Sequence, residues 1–399
     1  MDTSVAHIHA LMDRVREIHQ STENQARADY WQVVPHDQWE PALIRTLPAP
    51  RQSSKIPFVV QPSLGMWSHV LGFSIGDYYS DPLTYLTAQL ERKVYHWQHF
   101  DDDTHIDKSF RILVGTVLEG SLLGVPLGVP LGLSQDREPA IDYSNPVVES
   151  PEDLAALDSP DFYESGIMPM VHRFYAEMNR VLGDDFLVKF PDWIMGPFGL
   201  GLQLRGYEQF LLDLTLSPAL AQDVLRVIVE ARKSWQAECD RFLGIHRSRG
   251  LLGNDDLYCP IISPALYEEM ILPWELELCE HYSGIFYWHS CGDTTKLLEH
   301  VARIPILDLF HCGPWTDVSR AGEVMGGQGV PIEICINPVD KVQAVRAQEQ
   351  KRYLERVVAQ IPDDVDCYIK VDSLEVIRDL PTELKAIQSW IGVAREVLG

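Results

Sequence analysis

GIFYWHSCGDTTKLLEHVARIPILDLFHC, residues 284–312, is the stretch of sequence that decides the fold. Its first part, residues 285–288, is an apolar run that predicts a buried strand of a parallel sheet. The strand is followed by His289 and Cys291, and the alternation of side chains along an extended chain places the imidazole and the thiol on the same face. Two side chains that can ligate a metal are therefore expected to point the same way.

The second part of this stretch repeats the arrangement. Asp293 is positioned to cap a helix over residues 294–304, and residues 306–310 predict a second strand that ends in His311 and Cys312. In a parallel α/β protein the carboxyl ends of the strands carry the site, and His with Cys is a ligand set that zinc prefers. The stretch therefore predicts a zinc site at this edge of the sheet. Core thiols beside a structural histidine are the alternative interpretation.

Strand and helix patterns alternate along the rest of the chain. Eight apolar or β-branched runs alternate with helical patterns, and no second cluster of strands is left over. This count predicts a single (β/α)8 barrel, a TIM barrel, rather than a doubly wound sheet. The predicted strands are residues 57–61, 110–119, 186–194, 251–252, 285–288, 306–310, 331–336 and 367–372.

Two segments fall outside this alternation. Residues 1–56 combine a helix with an irregular, proline-bearing segment, and we expect an amino-terminal helical extension packed on a barrel that comprises residues 57–399. Residues 120–160 contain a duplicated GVPL and no helical period, which predicts a long loop insertion. A loop beside the active edge is a candidate lid, and a tethered surface loop is the alternative.

The composition excludes several classes of function. Of the 399 residues, 46% are hydrophobic and 23% are charged, which is ordinary for a globular protein with a large core. The net charge of -25 argues against nucleic acid and anionic membranes as partners, and favours a partner with a basic surface. The amino-terminal residues lack the features of a signal peptide and no apolar run could span a bilayer, so we expect a cytoplasmic protein with reduced thiols.

A side chain that is polar or can bind a metal lies at the carboxyl end of every predicted strand. An Asp there is more often a turn former than a catalytic group, so the His-x-Cys pattern carries more weight. Zinc with three protein ligands keeps a position open for substrate, and thiolate ligands suit it to hold a thiolate or a polarised oxygen rather than to generate hydroxide. The pattern therefore favours alkyl transfer over hydrolysis. The strand ends carry Gln61, Glu119, Asp192, Asp255, Asp256, His289, Cys291, His311, Cys312, Glu333, Cys335, Asn337 and Asp372.

Several short motifs resemble the uroporphyrinogen decarboxylase superfamily. The resemblance implies a (β/α)8 barrel, in agreement with the strand count. Metal-free decarboxylases of this superfamily carry an amino-terminal Arg-rich motif, whereas this chain has SLGMWSHVLG after its first strand. Zinc-dependent, corrinoid-linked methyltransferases carry a His-x-Cys that His289 and Cys291 match, so this branch is favoured. The motifs, within residues 57–399, are HSCG at 289–292, GNDD at 253–256, ISP at 262–264, LP at 272–273, ICINPVD at 334–340 and LPTEL at 380–384.

The resemblance leaves the third metal ligand open. Coenzyme M methyltransferases of this branch have a later Cys in a Gly-Cys-Gly turn at the last strand, where this chain has KVDS at residues 370–373. We expect Cys312, at the neighbouring strand end, to supply a second thiolate, with Asp372 as the alternative ligand. The missing Gly-Cys-Gly turn makes transfer to coenzyme M a less favoured activity.

The resemblance implies methyl transfer between a small methylated substrate, for instance an aryl methyl ether, and a corrinoid (cobalamin) cofactor. Because the chain has no D-x-H-x-x-G motif, the corrinoid is expected on a separate partner protein, and a homodimer is compatible with the sequence. We expect the ligands to be supported, or the leaving group to be protonated, by Asp255, Glu333 and His311. The aromatic residues expected to bind an apolar substrate are Trp67, Trp193, Tyr258 and Trp315, with barrel packing as the alternative role.

Three other functions stay open from the sequence. The first is methyl transfer from a methylated corrinoid to a thiol. The second is metal-free decarboxylation of a tetrapyrrole, which the acidic strand ends disfavour because the substrate carboxylates need basic partners. The third is an accessory protein that binds a corrinoid or a metal but catalyses no reaction. An open coordination position at the metal would argue against this third function.

Overall fold

A parallel sheet forms the centre of the molecule. The computed structural model describes residues 3–32, 47–50, 55–129 and 137–399. Its strands are β1 (Phe58–Pro62), β2 (Ser109–Arg111), β3 (Leu127–Val129), β4 (Ala140–Ile141), β5 (Leu187–Lys189), β6 (Gly250–Gly253), β7 (Ile285–His289), β8 (Leu307–Cys312), β9 (Ile332–Ile336) and β10 (Cys367–Leu374). Six of them form one sheet in the order β1, β10, β9, β8, β7, β6, with every neighbouring pair parallel.

Further pairings continue this sheet around a barrel. β2 pairs in parallel with β5. Met195, which follows β5, forms an isolated parallel bridge with Gly253 of β6. On the other side, the N–H of Asp103, ahead of β2, donates to the carbonyl of Phe58 in β1 at 2.9 Å. The strands β1, β2 and β5 to β10 therefore surround one interior, and the predicted α/β barrel is confirmed.

The second strand is much shorter than the sequence predicts. The strand over residues 110–119 was expected to end at Glu119, but β2 ends at Arg111, and Gly115 takes a left-handed conformation with φ 63° that breaks an extended chain. Glu119 consequently lies in a short helix, where it is buried and accepts hydrogen bonds from the N–H groups of Ile194 and Met195 at 2.6 and 3.0 Å. It therefore fixes the segment that follows β5.

Helices cover the outside of the barrel. Several begin at a capping side chain; Asp81 and Asp379, for example, each accept a hydrogen bond from a backbone N–H three residues later. No helix in the described part of the chain is both long and apolar enough to cross a membrane. The α-helices are α1 (Thr3–Gln20), α2 (Thr22–Ala28), α3 (Leu64–Leu71), α4 (Ile75–Ser80), α5 (Pro82–His99), α6 (Leu118–Leu122), α7 (Pro151–Ala155), α8 (Met168–Leu182), α9 (Pro197–Arg205), α10 (Tyr207–Leu216), α11 (Pro218–Leu243), α12 (Pro264–Leu266), α13 (Leu272–Tyr282), α14 (Leu298–Val301), α15 (Val318–Val324), α16 (Ala347–Val358) and α17 (Leu380–Leu398).

The amino-terminal helical region packs against the barrel. Beyond α2, Trp31 enters the barrel interior, where its ring meets Tyr368 of β10 edge-on at 5.2 Å. The indole N–H of Trp31 donates to the carbonyl of Asp103 at 2.9 Å. One face of α1 joins the main core through Ile8, Met12, Val15 and Ile18.

The insertion over residues 120–160 has structure of its own. It contains the end of α6, the antiparallel hairpin of β3 and β4, and α7. Residues 130–136, part of the candidate lid, lie outside the described residues. Glu138, just beyond them, lines the mouth of the barrel. The insertion therefore reaches the edge at which the site was predicted.

Candidate metal centre and adjoining cavity

Three side chains with metal-binding atoms converge at the carboxyl ends of β6 and β7. Asp255 lies two residues after β6, while His289 ends β7 and Cys291 follows it. The Nε2 atom of His289 is 2.9 Å from Oδ1 of Asp255 and 3.3 Å from Sγ of Cys291, and that sulfur is 3.4 Å from the same carboxylate oxygen. Within the described ranges, this is the one group of three or more His, Cys, Asp and Glu side chains whose ligand atoms all lie within 4.8 Å of each other.

The donor set fits one zinc ion. Zinc takes imidazole nitrogen, thiolate sulfur and carboxylate oxygen at about 2.0–2.3 Å, so two ligand atoms on one ion lie within roughly 4.5 Å of each other. The three separations above satisfy this limit. One thiolate and one carboxylate balance the two positive charges of the ion. Three protein ligands leave a fourth position for a substrate atom.

Tyr287 fixes the orientation and the tautomer of His289. Its hydroxyl oxygen is 2.5 Å from Oε1 of Glu333 and 3.1 Å from Nδ1 of His289. The phenol has a single proton, which it donates to the carboxylate, so it accepts a hydrogen bond from Nδ1–H of the imidazole. In the neutral ring the lone pair then lies on Nε2, the atom that faces Asp255 and Cys291 and that a cation would bind. Without a cation, Nε2 carries a proton when it hydrogen-bonds to the carboxylate of Asp255. A metal ligand needs this tautomer.

A buried hydrogen-bond network inside the barrel supports Tyr287 and His289. Nδ1 of His311 is 2.7 Å from Oε1 of Glu333, and the hydroxyl of Tyr368 donates to Oε2. Nζ of Lys370 is 3.8 Å from the same carboxylate and forms an ion pair with Asp372. Burial, together with the nearby ring of His289, lowers the pKa of His311 to about 4, so the ring of His311 is neutral. The structure thus connects Glu333 and His311 to the candidate centre through Tyr287.

The pKa values of the two acidic groups at the centre move in opposite directions. Burial acts to raise the pKa of Asp255, but hydrogen bonding and charge from His289, with a further hydrogen bond from Cys291, lower it to about 2. Burial raises the pKa of the Cys291 thiol, and the adjacent Asp255 carboxylate raises it further. The thiol therefore keeps its proton unless a cation is bound, because ligation requires the thiolate.

A buried carboxylate on α13 connects the two strand ends that carry the centre. Glu275 accepts hydrogen bonds from Nδ2 of Asn254 at 2.7 Å, from the hydroxyl of Tyr267 at 2.7 Å and from the indole N–H of Trp288 at 3.1 Å. Asn254 and Trp288 each directly precede a residue of the centre. Burial raises the pKa of Glu275 to about 7 despite these three donors.

The centre lines a cavity of about 500 Å³ at the barrel mouth, which we call the mouth cavity. A second, inner cavity of about 410 Å³ lies beside β1 and β10. Either volume is sufficient for a small-molecule ligand. Four residues line both cavities: Tyr78, Arg92, Leu113 and Asp372. The remaining wall of the mouth cavity includes Tyr79, Tyr287, Ile112, Val114, Ile194 and Met195.

The expected thiolate ligand Cys312 does not reach the centre. It is buried, and its Sγ lies 3.9 Å from the carbonyl oxygen of Thr316. In the register of β8 and β9, His311 is opposite Glu333, and Cys312 is opposite Ile334. Adjacent residues of a strand point to opposite faces, so Cys312 points towards the surrounding helices when His311 points into the barrel.

The other predicted site residues are distributed around the centre. Asp255, expected to support the ligands, belongs to the three-residue group itself. Asp372, the alternative ligand, lines the mouth cavity and contributes to the raised pKa of the Cys291 thiol, but it lies outside that group. Cys335 is buried in β9.

The four aromatic residues expected to bind substrate are not among the described residues that line the mouth cavity. Trp67 lines the inner cavity, Trp193 is buried in the core, and Trp315 is 60% exposed. Tyr258 packs over Gly292, where an added Cβ atom would lie 2.0 Å from its ring. Aromatic residues at strand ends also pack between sheet and helices, which explains why their position in sequence did not identify the cavity wall.

Arg92, Tyr78 and Tyr79 are cavity residues that the sequence analysis missed. They lie on α4 and α5, which follow the first strand. The available signal was a tyrosine pair in a short segment between two helix caps, Ser74 and Asp81. Nothing in the periodicity of α5 distinguishes an arginine that faces a cavity from one that faces solvent.

The fold and the site define an α/β barrel protein with a candidate metal centre at its mouth. A family model described as uroporphyrinogen decarboxylase (URO-D) matches residues 121–333, more than half of the chain. The protein therefore belongs to the URO-D family. A solved structure of a methyltransferase from Methanosarcina mazei matches with a TM-score of 0.60 and 14% sequence identity, and the match covers 86% of this chain and 94% of that chain. At this identity the match shows a shared fold. No curated protein matches the chain.

Proposed function

We propose that this protein is a zinc-dependent methyltransferase that moves a methyl group from a small methyl ether or thioether to a corrinoid on a partner protein. The observation that carries this proposal is the convergence of Asp255, His289 and Cys291 on the wall of the mouth cavity. Membership of the URO-D family, and a fold shared with a protein named a methyltransferase, support the proposal.

The donor set determines what the centre would contribute. Asp255, His289 and Cys291 would hold zinc, which would act as a Lewis acid and stabilise the negative charge on the oxygen or sulfur atom that the methyl group leaves. The bond from the methyl carbon to this atom would break with its electron pair remaining on the heteroatom. A Co(I) corrinoid on the partner protein would supply the electron pair for the new bond to the methyl carbon.

The protein side chains supply position and a dry environment. Tyr287 and Glu333 keep His289 in one tautomer and orientation, so the ligand atoms do not have to rearrange during the reaction. Ile112 and Met195 would offer apolar contacts to the methyl group and limit the access of water to it. A substrate held between this wall and the centre would present its methyl group in a restricted set of orientations.

Metal analysis of three purified variants beside the wild type tests the proposal. We expect about one zinc ion per chain in the wild type and loss of zinc in Cys291→Ala and Asp255→Ala, because each substitution removes one ligand. Cys312→Ala is the matched control, since its thiol faces the helical layer. This variant should retain zinc. Circular dichroism establishes that each variant is folded.

Two results would contradict the proposed centre: no zinc in wild-type protein purified without chelators, or full zinc content in Cys291→Ala. Zinc loss in a folded Cys312→Ala protein would instead favour the ligand set expected from sequence. The transfer reaction is tested separately, by following the absorption spectrum of a Co(I) corrinoid protein as methyl ethers and thioethers are added.

A further inference from the structure

Arg92 lies at the junction of the two cavities. It projects from α5, is half-buried, and lines both the mouth cavity and the inner cavity. The candidate metal centre lies on the wall of the same mouth cavity. A ligand in the mouth cavity would therefore have access to the metal centre and to a guanidinium group.

The other lysine and arginine side chains of the inner cavity have carboxylate partners. Nζ of Lys93 is 2.5 Å from Asp107, and a guanidinium nitrogen of Arg111 is 3.9 Å from the same residue. Lys370 is paired with Asp372. Each of these three cations therefore already has a carboxylate partner, although Lys93 and Arg111 share Asp107.

Arg92 differs from these residues. In the part of the chain that the structure describes, Arg92 forms no ion pair. It forms a hydrogen bond with the hydroxyl of Tyr78. Its guanidinium carbon lies 5.4 Å from the centroid of the Trp67 ring. Both Tyr78 and Trp67 can contact a cation, but neither carries a negative charge that would neutralise the guanidinium group. A half-buried arginine without a carboxylate partner has donors available for an anionic ligand.

One carboxylate of the mouth cavity, that of Glu138, lies near Arg92 but does not form an ion pair with it. Burial and the charge of Glu375 raise the pKa of Glu138, and the charge of Arg92 lowers it only in part. Neither Glu138 nor Glu375 has a carboxylate oxygen within 4.0 Å of the guanidinium nitrogens of Arg92. The guanidinium remains available to a ligand.

We propose that Arg92 binds a carboxylate group of the methylated substrate, whose methyl-bearing oxygen or sulfur then lies at the Asp255, His289 and Cys291 group. This inference rests on the proposed function and narrows its substrate class to small methylated carboxylic acids. Arginine and carboxylate match in shape and form paired charge-assisted hydrogen bonds. One available guanidinium suits a substrate with a single carboxylate, whereas a substrate with many carboxylates would need several.

Calorimetric titration with neutral and anionic probes of the same shape tests this inference. The probes are the ortho, meta and para methoxybenzoates and the corresponding methoxybenzamides, which differ only in the charged group. We expect wild-type protein to bind at least one acid about 10- to 100-fold more tightly than its amide, the range for a hydrogen bond to a charged group. Arg92→Gln should abolish this preference while leaving the affinity for the amide unchanged.

Arg180→Gln is the matched control. Arg180 is an exposed residue of α8 that pairs with Glu177 at 2.5 Å, so its replacement removes the same charge away from the cavities. This variant should keep the preference for the acid. An acid preference retained in Arg92→Gln, lost equally in both variants, or absent from the wild type would overturn the inference, as would a failure of the wild type to bind any probe.

The same titrations on chelator-treated protein separate this inference from the metal proposal. The interaction with Arg92 does not require a metal, so the acid preference should persist in metal-free protein even if the zinc analysis fails. Normal zinc content together with equal affinities for acids and amides would overturn the role of Arg92 alone.

Discussion

Among the described residues, the hydroxyl group of Tyr287 is the only hydrogen-bond partner of Nδ1 of His289. In Tyr287→Phe the ring keeps its shape, but Nδ1–H loses its acceptor and the imidazole is free to change tautomer. Loss of such a partner typically weakens metal binding about 10- to 100-fold. We expect a decrease of this size in zinc affinity, measured by competition with a chromophoric chelator.

Tyr368→Phe is the matched control for that measurement. Both hydroxyl groups bond to Glu333, so either substitution should cost about 1–3 kcal/mol of the free energy of unfolding by leaving a buried group less well satisfied. Of these two hydroxyl groups, only that of Tyr287 is shown to contact the imidazole of His289. Equal zinc affinities in the two variants would show that Tyr287 contributes to packing and not to the orientation of the ligand.

The two cysteines after β7 and at the end of β8 show what a local pattern can and cannot predict. Cys291 is two residues from His289, and the alternation of an extended chain correctly predicts that their side chains meet. Cys312 is next to His311, so the same rule sends its side chain to the opposite face. The rule was sufficient to reject Cys312 as a ligand, but it does not identify Asp255, which lies in a turn after β6.

At the scale of elements, the carboxyl-terminal half of the barrel was the more predictable. β7 to β10 are buried apolar runs with sharp ends, and their observed bounds differ from the predicted ones by one or two residues. β2 and β5 have three residues each, and irregular segments follow them. The hydrophobicity of the sequence does not distinguish these irregular segments from strands. Contacts with distant segments fix these regions, as Glu119 does for the backbone after β5.

The amino-terminal segment completes the barrel interior through one side chain. Trp31 is buried against Tyr368 and donates its indole N–H to Asp103. Replacing a large buried aromatic residue with alanine typically costs about 3–5 kcal/mol because a cavity remains. We expect Trp31→Ala to lower the free energy of unfolding by this amount in a urea titration.

Trp315→Ala provides the comparison, since the same substitution at a residue that is 60% exposed should change stability by less than about 0.5 kcal/mol. A similarly small change in Trp31→Ala would indicate that the barrel is stable without the amino-terminal segment. Such a result would favour an extension that folds after the barrel rather than with it.

At the scale of the whole molecule, the alternation of strands and helices was sufficient to predict the barrel, whereas the cavity was not predictable. Its wall combines Arg92 from α5, Glu138 from the insertion and Glu375 from beyond β10. These positions are separated by tens to hundreds of residues, so no local pattern relates them. Each becomes a cavity residue only when the barrel closes and brings its loops to one mouth.

The pH dependence of global stability should reveal the buried Glu275. Its pKa is raised from 4.5 to about 7 by burial, so between these values the folded protein keeps a proton that the unfolded chain has released. Raising the pH through this window therefore stabilises the unfolded chain relative to the folded one, and above about pH 7 both forms are ionised and the effect is constant. A shift of this size corresponds to about 3 kcal/mol.

Glu275→Gln removes this titration while it keeps the shape of the side chain. We expect the free energy of unfolding of the wild type, relative to the variant, to fall by about 3 kcal/mol between about pH 4.5 and pH 7.5. Urea titrations across this range, with chelator in both samples so that metal binding does not differ, measure the change. Parallel profiles would mean that Glu275 is ionised in the folded protein. In that case the donors Asn254, Tyr267 and Trp288 would outweigh burial, and α13 would hold the two strand ends through a charged carboxylate.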